Sequence, residues 1–377
     1  RSYRRPGGRE VAELNCASAY ELARPSQVRQ VLKDAPIAFL PVGCVEYHGP
    51  HLPLGVDMLT AKAFCHRTAA ETGGLVLPPL WLASGVLPLP HGVVVELDVL
   101  RQVVRTVLHQ LAEGGFEVLV VFSGHGALDH LHVLREESDR VMDVFPSVKA
   151  FTTVWNELNA GLQGDIHDHG AKVETSYMME FFPETVDLAA LDSDPSSEHL
   201  GVYGSNPRFT ASREWGAHMA ENAINRLTGL VRSFLSGERP DSWALLRELV
   251  ERLQAGDLQV VTDSGRRAKE GEGGIRLDLH NPHSQSKYIT ALASFRINGV
   301  EANLEDGTLS NPSSGEGHTD SRIDGLGPLS GFYVRRDQTM SISLPRVEVA
   351  PGQHLLEASF LLADVFQIEA SGEFELR

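Results

Sequence analysis

The chain has 377 residues, 42% of them hydrophobic and 22% charged, which is too long for one ordinary core and too apolar for a disordered chain. Fifty Asp and Glu against 33 Lys and Arg leave a formal net charge of −17, which excludes non-specific binding to nucleic acid or anionic membrane, since both need a basic surface. Cys16, Cys44 and Cys65 make no disulfide framework, as expected in a reducing, cytoplasmic compartment.

Residues 1–19 read as an N-terminal extension. The basic Arg1–Arg9 stretch lacks the apolar run of a secretory signal, and the absence of an initiator Met suggests a truncated or processed chain. Short apolar runs at Ile37–Val42, Leu75–Leu80, Val118–Phe122 and Val148–Val154 predict strands buried on both faces, the habit of a parallel sheet. The most apolar long stretch, Leu75–Pro90, carries four prolines and is too short to cross a membrane. Leu97, Leu100, Val104, Val107, Leu108 and Leu111 recur at helical spacing up to Gly114-Gly115, and a second helical pattern runs from His218 to Gly237. This alternation predicts a layered α/β domain over residues 20–237 with a mostly parallel sheet. Residues 238–254 read as a helical linker, with an amphipathic helix over Trp243–Leu253. Residues 255–377 then read as a small all-β, sandwich-like domain. Its signals are alternation over Tyr288–Val300 into an Asn298-Gly299 turn, alternation at Met340, Ile342 and Leu344, a Pro351-Gly352 turn, and strand-like segments over Leu355–Phe374. Ser264–Gly274 and Asp306–Gly327 read as loops.

The chemistry concentrates in three stretches. The first strand runs directly into Cys44-Val-Glu46-Tyr-His48-Gly-Pro-His51-Leu-Pro-Leu-Gly-Val-Asp57. Glu46 and His48 are two apart and share a side in extended backbone, and the intervening Gly and Pro residues could turn Asp57 back towards them. Two carboxylates and an imidazole suit Zn²⁺, Mn²⁺ or Fe²⁺, although a solvated loop whose acids and histidine pair among themselves would look the same. The second stretch, Ser123-Gly124-His125-Gly126, puts another histidine at a glycine turn after a buried strand, where open α/β sheets bind ligands, and favours the metal reading. The third contains His167, Asp168, His169 and Glu174. His167 and Asp168 read as polar loop residues. His169, ahead of a helix, and Glu174, at its start, read as functional, with His169 suited to acid–base work. Cys44 reads as packing. Tyr47, Trp81, His91 and Trp155 are candidate pocket walls, and Arg335-Arg336 an exposed charge pair.

Glu46-x-His48-Gly-Pro-His-Leu-Pro followed by Gly-x-Asp57 resembles the signature of the creatininase family of metal-dependent amidohydrolases. Ser-Gly-His125-Gly is similar to that family's Asn-Gly-His turn, and His169-Gly-Ala-x-x-Glu174-Thr-Ser to its His-Ala-Gly-x-x-Glu-Thr-Ser segment. The resemblance covers roughly residues 20–237, in the family's order, and leaves the β domain without a counterpart. It implies a layered α/β fold, a site for two divalent metal ions, a small-molecule substrate and a homo-oligomer, often a hexamer. Glu46, His48, Asp57 and His125 fall on metal-ligand positions, Asp57 on the bridging one, and His169 on the catalytic histidine. Creatinine hydrolases carry a glutamate ligand where this chain has Ala127, so Glu174 becomes the candidate replacement, and creatinine itself is disfavoured as substrate. Ser123 stands where Asn is usual and Cys44 where Ser is usual. The β domain faintly resembles the small β subunit of C-glycoside deglycosidases, although an oligomerisation or stability module explains it as well. The expectation is a hydrolase in which metal-activated water attacks a carbonyl, opening a ring or cleaving an amide-type C–N bond. Alternatives are a C–C bond hydrolase of an oxidised cyclitol and a non-catalytic carbohydrate-binding or scaffold protein.

Overall fold

The computed structural model describes residues 18–162, 166, 168–195, 197 and 199–254. In the C-terminal part it describes residues 259–260, 266–267, 275–281, 287–310, 321–323, 332–334, 338–347, 350–362 and 366–376. Residues 1–17 of the expected extension, His167, the boundary expected at residue 255 and Arg335-Arg336 lie outside the described residues.

The first part is built from α1 (Pro25–Asp34), β1 (Ile37–Val42), α2 (Val56–Thr72), β2 (Leu75–Val76), α3 (Leu97–Glu113), β3 (Val118–Ser123), α4 (Leu128–Val144), β4 (Lys149–Val154), α5 (Trp155–Leu158), α6 (Lys172–Phe181), α7 (Pro207–Thr210), α8 (Arg213–Leu235) and α9 (Ala244–Gln254). The strands form one parallel sheet in the order β2-β1-β3-β4. β1 and β3 are buried along their whole length because helices cover both faces. α2 packs with α6 and α8, while α3 packs with α4. Since β1 leads through α2 to β2 and β3 leads through α4 to β4, the chain leaves the two central strands in opposite directions. Their carboxyl ends form the topological switch point at which open α/β sheets place ligands. β2 is shorter than the apolar run predicts. Pro78 and Pro79 cannot donate to a ladder, so the chain runs on beside β1 through isolated bonds such as Leu80 N–H to the Pro41 carbonyl at 3.0 Å.

The C-terminal part is antiparallel. Its strands are β5 (Gln259–Val260), β6 (Arg266–Arg267), β7 (Ile275–Asn281), β8 (Lys287–Ile297), β9 (Val300–Glu301), β10 (Thr308–Ser310), β11 (Ser321–Arg322), β12 (Phe332–Val334), β13 (Gln338–Leu344), β14 (Gly352–Leu362) and β15 (Phe366–Leu376). One sheet runs β11-β10-β13-β7-β5 with β6 against β7, and the other runs β12-β8-β14-β15 with β9 against β8. Leu277, Met340 and Ile342 of the first sheet share a core with Phe295, Leu356 and Phe374 of the second, which makes the pair a sandwich. Asn298 and Gly299 turn between β8 and β9 with φ of 52° and 76°, the left-handed values that a tight hairpin requires. Two loop expectations are corrected: β6 lies within Ser264–Gly274, and β10 and β11 lie within Asp306–Gly327. These strands are only 2, 3 and 2 residues long, too short for alternation to register.

The expected linker helix, α9, is packed on several sides. Leu245 joins the core of the parallel sheet, Leu246 that of the sandwich, and Leu249 a small cluster with Ala160 and Ile166. Just before it, the Ser242 carbonyl accepts from Arg135 Nε at 3.0 Å, and the Trp243 ring lies 5.4 Å from the Arg135 guanidinium. Arg135 also pairs with Glu157, and both side chains are 1% exposed. Among the described residues no helix is long and apolar enough to cross a membrane. Removing one partner of a buried ion pair strands the other charge. Arg135→Met is therefore expected to cost about 3–5 kcal/mol in chemical denaturation, and Arg135→Met with Glu157→Leu to recover most of it.

Candidate metal centre

Beyond β1 the chain stays extended, so Cys44, Glu46 and His48 share one side and are almost fully buried, while Val45 and Tyr47 are half-buried. The turn that follows begins with Gly49 at φ +90° and delivers the chain into α2, whose first turn carries Asp57. That turn can seat itself against the sheet only because two residues lack side chains. A Cβ on Gly43 would lie 2.3 Å from the Met58 nitrogen, and one on Gly124 would lie 2.0 Å from the Asp57 carbonyl oxygen. Gly124 precedes His125, whose backbone N–H donates to Ser123 Oγ at 3.1 Å. The third stretch arrives from the far side. Asp168 accepts from the backbone N–H of Val173 at 2.6 Å and of Glu174 at 3.3 Å. It is a polar loop residue, as expected, but a buried one whose carboxylate caps the first turn of α6. His51 Nε2 and Thr175 Oγ1, 2.8 Å apart, tie the first stretch to α6.

Glu46, His48, Asp57, His125, His169 and Glu174 converge on one place. Asp57 sits at its centre with its two oxygens facing opposite ways. Oδ1 is 3.1 Å from His48 Nε2, and Oδ2 is 3.0 Å from His125 Nδ1. His48 Nε2 is also 3.4 Å from Glu174 Oε2, and His125 Nδ1 is 3.4 Å from Glu46 Oε2. His169 Nε2 lies at the rim, 3.6 Å from Glu46 Oε1, with its side chain 18% exposed, the most open of the six. Its ring stacks on that of His48 at a centroid distance of 4.2 Å. Each imidazole is oriented from behind by a backbone carbonyl: His48 Nδ1 by Glu46 at 3.1 Å, His125 Nε2 by Ser84 at 3.1 Å, and His169 Nδ1 by Gly201 at 3.2 Å. A donor bond on one ring nitrogen leaves the other free to bind a metal or a proton.

Three buried carboxylates at this density require positive charge. Burial opposes ionisation of Glu46, but hydrogen bonds from His125 and His169 hold its carboxyl well below the usual range. Asp57 is held low against burial in the same way by His48 and His125. Burial would depress His48, yet Glu174 and Asp57 push it up to about 10; Asp57 and Glu46 do the same for His125, to about 10. Burial raises Glu174 to about 8. Burial and then the neighbouring His48 lower His169.

The donors fit a pair of metal ions. His48 Nε2, Asp57 Oδ1 and His169 Nε2 are buried atoms with no aligned hydrogen-bond partner. The side chains also fall into overlapping sets whose donor atoms lie within 4.8 Å of one another: Cys44, Glu46, Asp57 and His125; His48, Asp57 and Glu174; and Glu46, His48 and His169. The first two are distinct candidate metal sites sharing Asp57, as a binuclear centre requires.

The sequence reading missed Cys44. It packs with Ala83 and Val86 as expected, but its thiol also donates to Asp57 Oδ2 at 2.7 Å and to Glu46 Oε2 at 3.2 Å. The same two-residue alternation that joins Glu46 to His48 pointed to it. Of the expected pocket walls, Trp81 is 48% exposed and His91 lies at the surface. Trp155 is in the core, its indole N–H donating to the Gly124 carbonyl at 3.2 Å. Tyr47 flanks the loop at Gly201.

The Creatininase family model, creatinine amidohydrolase, matches residues 21–231, more than half of the chain. The chain belongs to the creatininase family. The creatinine amidohydrolase of Pseudomonas putida is 26% identical over 230 residues, covering 52% of this chain and 88% of that protein. The 3-dehydro-scyllo-inosose hydrolase of Thermotoga maritima is 23% identical over 273 residues, covering 65% of this chain and 87% of that protein. A crystal structure of creatinine amidohydrolase (creatininase) has the same fold at a TM-score of 0.50 and 23% identity, covering 57% of this chain and 96% of that one. A structure described as the Mn form of creatininase gives a TM-score of 0.50 at 23% identity, covering 57% and 98%. The creatininase match ends before the sandwich.

Two outcomes test this geometry. Gly124→Ala should push the first turn of α2, and Asp57 with it, off the strand ends, lowering both thermal stability and the number of metal ions held per chain. Metal loading should release the protons that the carboxylates hold on His48 and His125. Affinity measured against a chelator should therefore rise steadily from about pH 6 to 9, with proton release read by calorimetry in buffers of different ionisation enthalpy.

Proposed function

We propose that this creatininase-family chain is a metal-dependent hydrolase of a small polar carbonyl compound, opening a ring or cleaving an amide-type C–N bond. The observation that carries the reading is Asp57, a buried carboxylate shared between two donor sets with an imidazole at their rim. Glu46, Asp57 and His125 would hold one divalent ion, Zn²⁺, Mn²⁺ or Fe²⁺, and His48, Asp57 and Glu174 the other. Ions bound there supply Lewis acidity towards a carbonyl and lower the pKa of water towards neutrality. His169 does the proton work. Its Nδ1–H is committed to the Gly201 carbonyl, so Nε2 is the atom that takes a proton and returns it to the leaving group. The lowered pKa of His169 keeps Nε2 free to accept that proton near neutral pH. Glu174, placed by its bond from the Gly170 N–H at 2.6 Å, stands in for the carboxylate absent at Ala127 and fixes the face of the site opposite His125.

A second reading has one specific support. The alignment to the inosose hydrolase spans 65% of this chain against 52% for the creatinine hydrolase, which favours cleavage of a C–C bond in an oxidised cyclitol. Ala127 also weighs against creatinine. Turnover of creatinine, cyclic amides, formamides and oxidised cyclitols by the metal-loaded protein in ¹⁸O-labelled water separates these readings. One labelled oxygen in the product supports hydrolysis, and ligand binding without turnover across the panel would indicate a binding protein instead.

The roles are separable by mutation. Asp57→Ala should lose both the metal ions and activity. His169→Ala should keep the metal ions by elemental analysis while kcat falls about 10²–10⁴-fold. Retained activity in Asp57→Ala would refute the assignment.

A further inference from the structure

We propose that Cys44 is a thiolate ligand that closes one of the two metal sites, making the pair unequal: a sulfur-containing, zinc-selective site at Cys44, Glu46, Asp57 and His125, and an open, oxygen- and nitrogen-only site at His48, Asp57 and Glu174. The inference rests on the two-metal reading above and deepens it.

Four donor atoms cluster closely here. Sγ of Cys44 lies 2.7 Å from Asp57 Oδ2, 3.2 Å from Glu46 Oε2 and 3.5 Å from His125 Nδ1. His125 Nδ1 in turn lies 3.0 Å from Asp57 Oδ2 and 3.4 Å from Glu46 Oε2. A tetrahedral ion with bonds of 2.0–2.3 Å has ligand-to-ligand edges of roughly 3.3–3.8 Å, so a slight expansion of this cluster encloses one ion. All four residues are at most 6% exposed. The side chain packs on Ala83 and Val86 and turns its sulfur towards the two carboxylates, where it completes a set of four donor residues. As the sulfur–metal bond forms, the thiol proton now shared with Asp57 leaves to solvent. In the second set His48 Nε2 faces Asp57 Oδ1 at 3.1 Å and Glu174 Oε2 at 3.4 Å, and neither His48 Nε2 nor Asp57 Oδ1 has an aligned hydrogen bond. It offers three donors and no sulfur, and three protein donors are the number that leaves room for a substrate.

Sulfur also sorts metals. Thiolate favours Zn²⁺ over Mn²⁺, whereas imidazole and carboxylate accept either. The two sites should therefore differ in metal preference because of this one side chain.

The test is cobalt substitution of the full chain in a Cys16→Ser/Cys65→Ser background, which leaves Cys44 as the sole thiol. With Co²⁺ bound, this protein should show intense near-ultraviolet sulfur-to-cobalt charge-transfer absorption, and adding Cys44→Ser should abolish it. Cys44→Ser should also weaken Zn²⁺ at one site at least tenfold while changing Mn²⁺ affinity much less. Two Co²⁺ bound without that absorption would overturn the inference and leave the hydrolase reading standing. No metal bound at all would overturn both. Should Cys44→Ser fail to fold, the spectrum of the cobalt-loaded parent decides alone.

Discussion

The structure depends on Asp57 being driven, fully buried, between the ends of two parallel strands. A carboxylate in that position has lost its water and must be surrounded by donors or cations. What makes room for it is the absence of matter, since Gly43 and Gly124 present no Cβ to the first turn of α2. The helix then contributes its own dipole, because Asp57 lies in the first turn, where backbone N–H groups favour negative charge. Seated there, the carboxylate meets the imidazole from each strand end with a different oxygen.

The remainder of the centre is held by backbone rather than by other side chains. The carbonyls that orient His48, His125 and His169 come from residues 46, 84 and 201, three segments far apart in sequence. His125, held by the Ser84 carbonyl, also hydrogen-bonds Asp57 Oδ2 at 3.0 Å, whereas His48 Nε2 and Asp57 Oδ1 lie 3.1 Å apart without hydrogen-bond alignment. Rings fixed from behind by carbonyls are the pre-organisation expected of a ligand cage.

The central strands and the helix at residues 97–113 were legible because each has one simple environment: two buried faces for the strands, one apolar stripe for the helix. α2 was not. Phe64, Cys65, His66, Thr68 and Ala69 are buried on different sides of it, so no stripe marks it as a helix, although it carries the central carboxylate. The motif residues were legible as a set because period-two spacing and the Gly and Pro turns are local properties. The cap that Asp168 gives α6 was not legible because capping is decided by where the chain turns next, and the carboxylate contacts of Cys44 were not because a thiol beside a strand end is ordinary packing until a carboxylate comes to meet it. In the sandwich, the longer strands β8 and β13 showed themselves through alternation, whereas β6, β10 and β11 are held only by the longer strands beside them.

The missing carboxylate at Ala127 follows the same spatial logic. Gly85, at φ +75°, approaches so closely that a Cβ on it would lie 2.6 Å from the Ala127 Cβ. A longer side chain at residue 127 pointing the same way would occupy the path of this turn. The turn in turn supplies the Ser84 carbonyl that orients His125, and Leu87 N–H donates to Glu46 Oε1 at 2.6 Å. The short side chain at residue 127 thus goes with a backbone segment, residues 84–87, that packs against it and fixes both His125 and Glu46. On the other side of the centre, Glu174 Oε2 stands 3.4 Å from His48 Nε2.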